Sequence, residues 1–164
     1  MTRTPAEVEL LTERIIGCAI EVHKTLGPGL LEAVYRECLV LELRGSCLGV
    51  EVDRHVSLDY KGQRVRSQLI VDVLVEKCII VELKAVESLH PVHKAQVITY
   101  LKLTGCPAGL LLNFNATTLL GGLRRLDHPD RYAKKQSRSI MDIRRVGISE
   151  KVSPGLLISC CYFS

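Results

Sequence analysis

Three charged side chains interrupt the most aliphatic stretch of the chain. Asp72, Glu82 and Lys84 stand within residues 69–86, where most of the remaining positions are Leu, Ile or Val. Burying such charges is costly unless they pair with one another or bind a metal ion. Ligand sets made only of oxygen favour Mg²⁺ or Mn²⁺ over zinc. The pattern therefore predicts either an acidic metal site beside an amine or a simple buried ion pair.

Two buried strands must position these charges. Runs of Val and Ile are typical of strands buried on both faces, and the polar pair Glu76-Lys77 indicates the turn between them. Side chains alternate between the faces of a strand, so Glu82 and Lys84 share a face. Asp72 lies on the same face if it pairs with Glu82 across the hairpin. That register requires a loop with an odd number of residues, centred on Lys77, or a bulge. We predict that loop. The opposite face is then wholly aliphatic, with Leu69, Val71, Val73, Val75, Ile79, Val81 and Leu83.

The same charges resemble the core motif of the PD-(D/E)XK nuclease superfamily, in which an Asp and a Glu-x-Lys lie across a hairpin. Here nine residues separate Asp72 from Glu82. Two further segments strengthen the resemblance. Residues 29–35 match Gly-x-x-Glu-x-x-Tyr, the signature that names the GxxExxY branch of the superfamily. Gln96 and Tyr100 form a Gln-x-x-x-Tyr segment after the Glu-x-Lys strand, as in its exonuclease-like branch.

The resemblance implies an α/β fold with a restriction-endonuclease-like core. Such a core has a central mixed β-sheet, an antiparallel meander plus a parallel strand, flanked by α-helices. Hydrophobic periodicity independently indicates helices and strands along the chain. The predicted helices cover residues 6–25, 30–44 and 91–104, and the outer strands cover 51–59 and 107–115. Residues 119–126 are predicted as either a helical turn or an edge strand.

The resemblance also implies a metal site. Asp72, Glu82 and the backbone carbonyl of Leu83 would hold Mg²⁺ (or Mn²⁺), with Glu32 as a third or outer acid. Lys84 would orient the attacking water or neutralise the phosphorane. The implied activity is metal-dependent hydrolysis of phosphodiester bonds in nucleic acid, with DNA favoured over RNA.

Three further residues would contact the substrate if the resemblance holds: Gln96, Tyr100 and Tyr35. Structural interpretations compete with these roles. Glu32 in the first turn of a helix would stabilise it by about 0.3–1 kcal/mol through the helix dipole, or pair with Arg36 one turn later. Gln96 could be a solvated helix residue and Tyr100 a core aromatic. The charged cluster could serve stability alone, or the domain could be a catalytically silent module that binds nucleic acid or a protein partner.

Charge and cysteine content bound the remaining possibilities. Residues 1–129 hold fifteen Lys/Arg and fifteen Asp/Glu, so the net charge of +4 comes from the C-terminal part. We predict a nuclease-like domain over residues 1–129. Residues 130–164 would be a basic extension, either a disordered arm that touches nucleic acid or a segment without function. The seven cysteines, with no Cys-x-x-Cys pair, favour buried thiols and a cytoplasmic location, and no segment is predicted to enter a membrane.

Overall fold

The computed structural model describes residues 3–130, without the side chains of residues 66–68. Within these residues, four helices and five strands follow one another: α1 (Pro5–Leu26), α2 (Glu32–Gly45), β1 (Val50–Tyr60), β2 (Gln63–Val75), β3 (Ile79–Lys84), α3 (Pro91–Thr104), β4 (Ala108–Asn113), α4 (Leu119–Gly122) and β5 (Leu123–Asp127). The segment predicted as a helical turn or an edge strand contains both, one after the other. The predicted C-terminal extension, apart from Asp130, falls outside the described residues.

The five strands form one mixed sheet in the order β1-β2-β3-β4-β5. β3 and β4 pair in parallel, and every other neighbouring pair is antiparallel. Parallel neighbours need a crossover connection, which α3 supplies between β3 and β4. The α/β fold predicted from the sequence, a meander plus a parallel strand flanked by helices, is confirmed.

Helices cover both faces of the sheet. Alternate residues of β3 divide between two apolar clusters, as the pleat of a strand requires. Ile79, Val81 and Leu83 pack with residues of α1 and α2 on one face. Ile80 packs on the other face with residues of α3, among them Val97. Glu82 and Lys84 follow Ile80 at intervals of two residues, so their side chains point to the face covered by α3.

The turn between β2 and β3 has the predicted odd length. Val75 pairs with Ile79 around a loop of three residues centred on Lys77. Glu76 and Lys77 both adopt a left-handed conformation with φ of 52°, and the N–H of Cys78 donates to the carbonyl of Val75 at 2.9 Å. Two left-handed residues are typical of the tight turns that join twisted antiparallel strands. The extra residue sets the register that brings Asp72 towards Glu82.

One part of the predicted face assignment is wrong. The strand pattern predicts Leu69 and Val71 on the wholly aliphatic face, but both pack in the cluster on the α3 side. The ladder between β2 and β3 ends at Val73, so β2 leaves β3 at Asp72. On the partner strand Asp53 has a left-handed φ of 50°. Val71 and Val73 consequently lie on opposite faces, although β1 and β2 keep one register from Val50 to Val56.

Candidate active site

The carboxyl end of β3 gathers the predicted charges. Glu82 is buried, with 1% of its surface exposed, while Asp72 and Lys84 are half-buried. Asp72 Oδ2 accepts a hydrogen bond from the backbone N–H of Leu83 at 2.8 Å. The carboxylate thus takes the place of a strand carbonyl where the backbones of β2 and β3 separate. The predicted meeting of Asp72 with the Glu-x-Lys segment is observed.

Lys84 satisfies part of this acidic group. Its ammonium donates to Glu82 Oε1 at 2.7 Å and to the carbonyl oxygen of Leu83 at 2.8 Å. The buried ion pair considered from the sequence is therefore present. The other oxygen of Glu82, Oε2, is buried and has no hydrogen-bond partner within the described residues. A buried carboxylate oxygen without a partner is costly, so this atom is a place where a cation or a donor would be stabilised.

Burial and mutual repulsion perturb the carboxylates. Burial, followed by the neighbouring charge of Asp72, raises the pKa of Glu82 to about 7. Burial likewise raises the pKa of Asp72, and the Leu83 N–H opposes that rise. Burial alone would lower the pKa of Lys84, but its hydrogen bond to Glu82 and the surrounding carboxylates raise it instead. Perturbed groups of this kind cluster at functional sites, because an active site needs charges that ordinary folding would avoid.

Glu32 acts on the charged group of Asp72, Glu82 and Lys84 through longer-range electrostatics. It is the first residue of α2, half-buried, and its charge raises the pKa of both Glu82 and Lys84. Arg36 does not pair with it, since its guanidinium lies 2.7 Å from Asp53 and ties α2 to β1. Across residues 3–130, no three Asp, Glu, His or Cys side chains converge closely enough to hold a metal ion. The structure therefore does not bring Glu32 into a direct three-carboxylate cluster.

Gln96 and Tyr100 lie one turn apart on α3, the helix that covers the face bearing Glu82 and Lys84. The amide of Gln96 donates to the hydroxyl of Tyr100 at 3.1 Å. The ring of Tyr100 is buried in the cluster with Val97, which agrees with its interpretation as a core aromatic. Gln96 is half-buried and keeps its carbonyl oxygen for other partners.

Tyr35 has a different environment. Its side chain is fully buried and stacks on Phe114 with 4.7 Å between ring centroids. The hydroxyl donates to the carbonyl of Gly27 at 2.6 Å and accepts from the N–H of Leu30 at 3.1 Å. These contacts fix the loop between α1 and α2, which sets where Glu32 begins its helix. The structure gives Tyr35 a packing role and does not bring it to the charged group.

A family model described as the PD-(D/E)XK nuclease superfamily matches residues 9–126, most of the chain. The chain belongs to the PD-(D/E)XK nuclease superfamily. Its membership in the GxxExxY branch stays a prediction. Comparisons with curated proteins and with solved structures gave no match. No helix among residues 3–130 has the length and apolarity to cross a membrane.

The oxygen atoms at this site fit a hard divalent cation of the type that such nucleases typically use. Asp72 and Glu82 approach closely enough for their charges to repel, and Glu82 Oε2 has no partner in the described part of the chain. The Leu83 carbonyl points at the same ammonium as Glu82. Lys84 thus donates to one oxygen of Glu82 and to the Leu83 carbonyl, while the second oxygen of Glu82 stays open within the described residues.

Asn113, to which the sequence pattern assigns no role, supports the candidate site of this member of the PD-(D/E)XK nuclease superfamily. Its side-chain amide donates to the carbonyl of Val86 at 2.8 Å, and its oxygen accepts from the N–H of the same residue at 3.1 Å. The N–H of Phe114 also donates to the carbonyl of Lys84 at 2.8 Å. Together these bonds fix the backbone on which Lys84 stands. The available signal was a polar residue at the end of an otherwise aliphatic strand, as at Asp72.

Proposed function

We propose that this protein hydrolyses phosphodiester bonds in nucleic acid, with DNA favoured over RNA, using a divalent cation. The observation that carries the proposal is the buried carboxylate of Glu82, which has one oxygen without a partner in the described structure and a second carboxylate, Asp72, beside it. A cluster built for stability alone would not retain that unsatisfied oxygen, because replacing it with an apolar group removes its cost.

Asp72, Glu82 and the Leu83 carbonyl would hold Mg²⁺ or Mn²⁺. When bound, such a cation supplies Lewis acidity and lowers the pKa of a bound water. Glu32 would add negative charge at longer range, or contact through water. Once displaced from Glu82, the ammonium of Lys84 is free to donate to the attacking water or to a phosphate oxygen, where it stabilises developing charge.

Gln96 would contribute a further polar contact on the substrate side of the site. Its half-buried amide lies on the helix that covers this face, and Tyr100 fixes its orientation through the hydrogen bond between them. Orientation by a buried neighbour lowers the entropy cost of binding a phosphate group. The predicted substrate contact by Tyr35 is not part of this proposal, because its hydroxyl is committed to loop backbone. A cytoplasmic location stays a prediction.

A cleavage assay tests the proposal. The full chain is incubated with single-stranded and double-stranded DNA in Mg²⁺, in Mn²⁺ and in EDTA. We expect cleavage only with a divalent cation, and losses of at least about a hundred-fold for Asp72→Asn and for Lys84→Met. Lys94→Met, which removes an exposed lysine on α3, is the matched control and should cleave like the wild type.

Two results would count against the proposal. Cleavage by Asp72→Asn or Lys84→Met at the wild-type rate would show that the charged group is not the active site. A wild-type chain that binds DNA but leaves it intact with either cation would favour the catalytically silent module. The second result is physically reasonable, because Lys84 already satisfies Glu82 Oε1 and the Leu83 carbonyl.

A further inference from the structure

The hairpin of β1 and β2 leaves the sheet at the edge that carries the candidate active site. β3 pairs only with Val73–Val75 of β2, and the two strands run antiparallel. The earlier residues of β2 therefore extend beyond the end of β3 that bears Glu82 and Lys84. At about 3.4 Å per residue, the strand from Asp72 back to Gln63 is about 30 Å long. We call residues 54–71 of this hairpin the arm.

The outer part of the arm has little support from the rest of the domain. Val56 and Leu69 pack against the cluster on the α3 side. Farther out, Leu58 and Val65 are half-buried and face each other across the two strands. A two-stranded ribbon is marginally stable by itself, so its tip contributes little to the stability of the core. Stabilisation of the core therefore does not explain the length of the arm.

The tip carries an exposed aromatic ring next to cations. Tyr60 is 64% exposed, and the ammonium of Lys61 lies 5.4 Å from its ring centroid. Arg64 donates a hydrogen bond to the hydroxyl of Ser57 on the opposite strand. Within the described structure neither Lys61 nor Arg64 belongs to an ion pair. Both charges therefore remain available to an anionic partner.

Charge is also distributed unevenly between the arm and the remaining domain. Residues 54–71 hold four Lys/Arg and one Asp/Glu. Residues 1–129 as a whole are balanced at fifteen of each, so the domain outside the arm carries an acidic excess. The net charge of the remaining domain therefore disfavours a polyanion, and binding is favoured where cations are gathered. A tip with two unpaired cations, on strands that begin beside the candidate active site, is suited to a polyanion held there.

We infer that the arm binds a single-stranded stretch of nucleic acid. Lys61 and Arg64 would contact successive phosphates, and an unpaired base would stack on the open face of Tyr60. The choice of nucleic acid as the partner rests on the proposed function. Stacking on Tyr60 favours single strands, because the bases of a duplex already stack on one another.

Fluorescence anisotropy on the full chain tests the inference. A short fluorescein-labelled single-stranded oligonucleotide and its duplex are titrated in EDTA, which prevents cleavage by a metal-dependent site. Tyr60→Ala should weaken single-strand binding by about ten-fold or more, and the duplex less, whereas the matched variant Tyr60→Phe should bind like the wild type.

A double variant tests the phosphate contacts. Lys61→Gln combined with Arg64→Gln should reduce the slope of log Kd against log salt by about 1.4 for the single strand. The control combines Lys24→Gln with Lys102→Gln, which removes two exposed lysines outside the arm and should leave the slope unchanged. Thermal melting of all variants confirms that each is folded.

Three results would overturn the inference. Tyr60→Ala could bind like Tyr60→Phe, the two double variants could behave alike, or poly-L-glutamate could displace the oligonucleotide as well as unlabelled single-stranded DNA does. Cleavage measured in parallel separates the two proposals. If the wild type cleaves and the arm variants bind like it, the proposed function is supported and the role of the arm is refuted. If binding depends on Tyr60 but no cleavage occurs, the role of the arm is supported and the proposed function is refuted.

Discussion

Substituting Glu82 with Gln should stabilise the protein at neutral and alkaline pH. The pKa of Glu82 is raised to about 7 in the fold, against an ordinary value of 4.5. A raised carboxyl pKa means that the folded state holds its proton more tightly than the unfolded chain. The contribution of this group to stability is therefore fully present below pH 4.5 and is lost as the pH rises towards 7. Gln resembles the protonated acid in shape and carries no charge, so it removes this loss.

The size of the effect follows from the interval between the two pKa values. Each pKa unit corresponds to 1.36 kcal/mol, so the interval amounts to about 3 kcal/mol, with the attraction of Lys84 already included. For a domain of this size, about 1 kcal/mol shifts Tm by roughly 4 °C. The Tm of Glu82→Gln relative to the wild type should therefore rise by up to about 12 °C between pH 4.5 and pH 8. The raised pKa of Asp72 acts in the same direction in both proteins.

Melting curves across this pH range, recorded in EDTA, measure the difference directly. Glu21→Gln, which changes an exposed acid on α1, is the control and should track the wild type at every pH. A Tm difference between Glu82→Gln and the wild type that stays constant from pH 4.5 to pH 8 would refute the reasoning, because any packing change from the amide alone is independent of pH. Adding Mn²⁺ at pH 8 should raise the Tm of the wild type and not that of Glu82→Gln.

Three further predictions concern other residues. Lys84→Met should bind Mn²⁺ more tightly than the wild type in calorimetric titrations, because its ammonium occupies two of the proposed ligand atoms; the control Lys94→Met removes the same charge without that contact and should change affinity little. Tyr35→Phe should lower the free energy of unfolding by about 1–3 kcal/mol in urea, because a buried hydroxyl with two partners is lost. Gly109→Ala should cost about 1–3 kcal/mol in the same assay, since a Cβ there would lie 2.6 Å from Cγ1 of Val97. Unchanged affinity for Lys84→Met, or unchanged stability for the other two, would contradict the structure.

The sequence predicted the sheet and the charged group because local patterns determine both. The aliphatic runs specified the two buried strands, and their alternation placed Glu82 and Lys84 on one face. The odd loop followed from requiring Asp72 to meet them, and the register confirms it. Each of these inferences uses residues close in the chain, where the strand period leaves few alternatives.

The misplaced residues depend on contacts between distant segments. Leu69 and Val71 changed face because β1 and β2 are irregular beside Asp53, and that irregularity is anchored by Arg36 from α2. Helical spacing pairs Arg36 with Glu32, and the sequence gives no sign of its actual partner, Asp53 on β1. The role of Asn113 likewise depends on a distant segment, because its partner is the backbone of Val86.

The hydrogen bonds from the ammonium of Lys84 to Glu82 and to the Leu83 carbonyl also affect how the protein folds. Because a side chain of the same strand offsets part of the charge of the acidic pocket, we expect the newly synthesised chain to fold without an inorganic ion. Folding and cation binding would then be separate steps. A phosphodiester-cleaving activity would then be switched on by the supply of cation rather than by the completion of folding, and protein produced under chelation should be intact and ready for reconstitution.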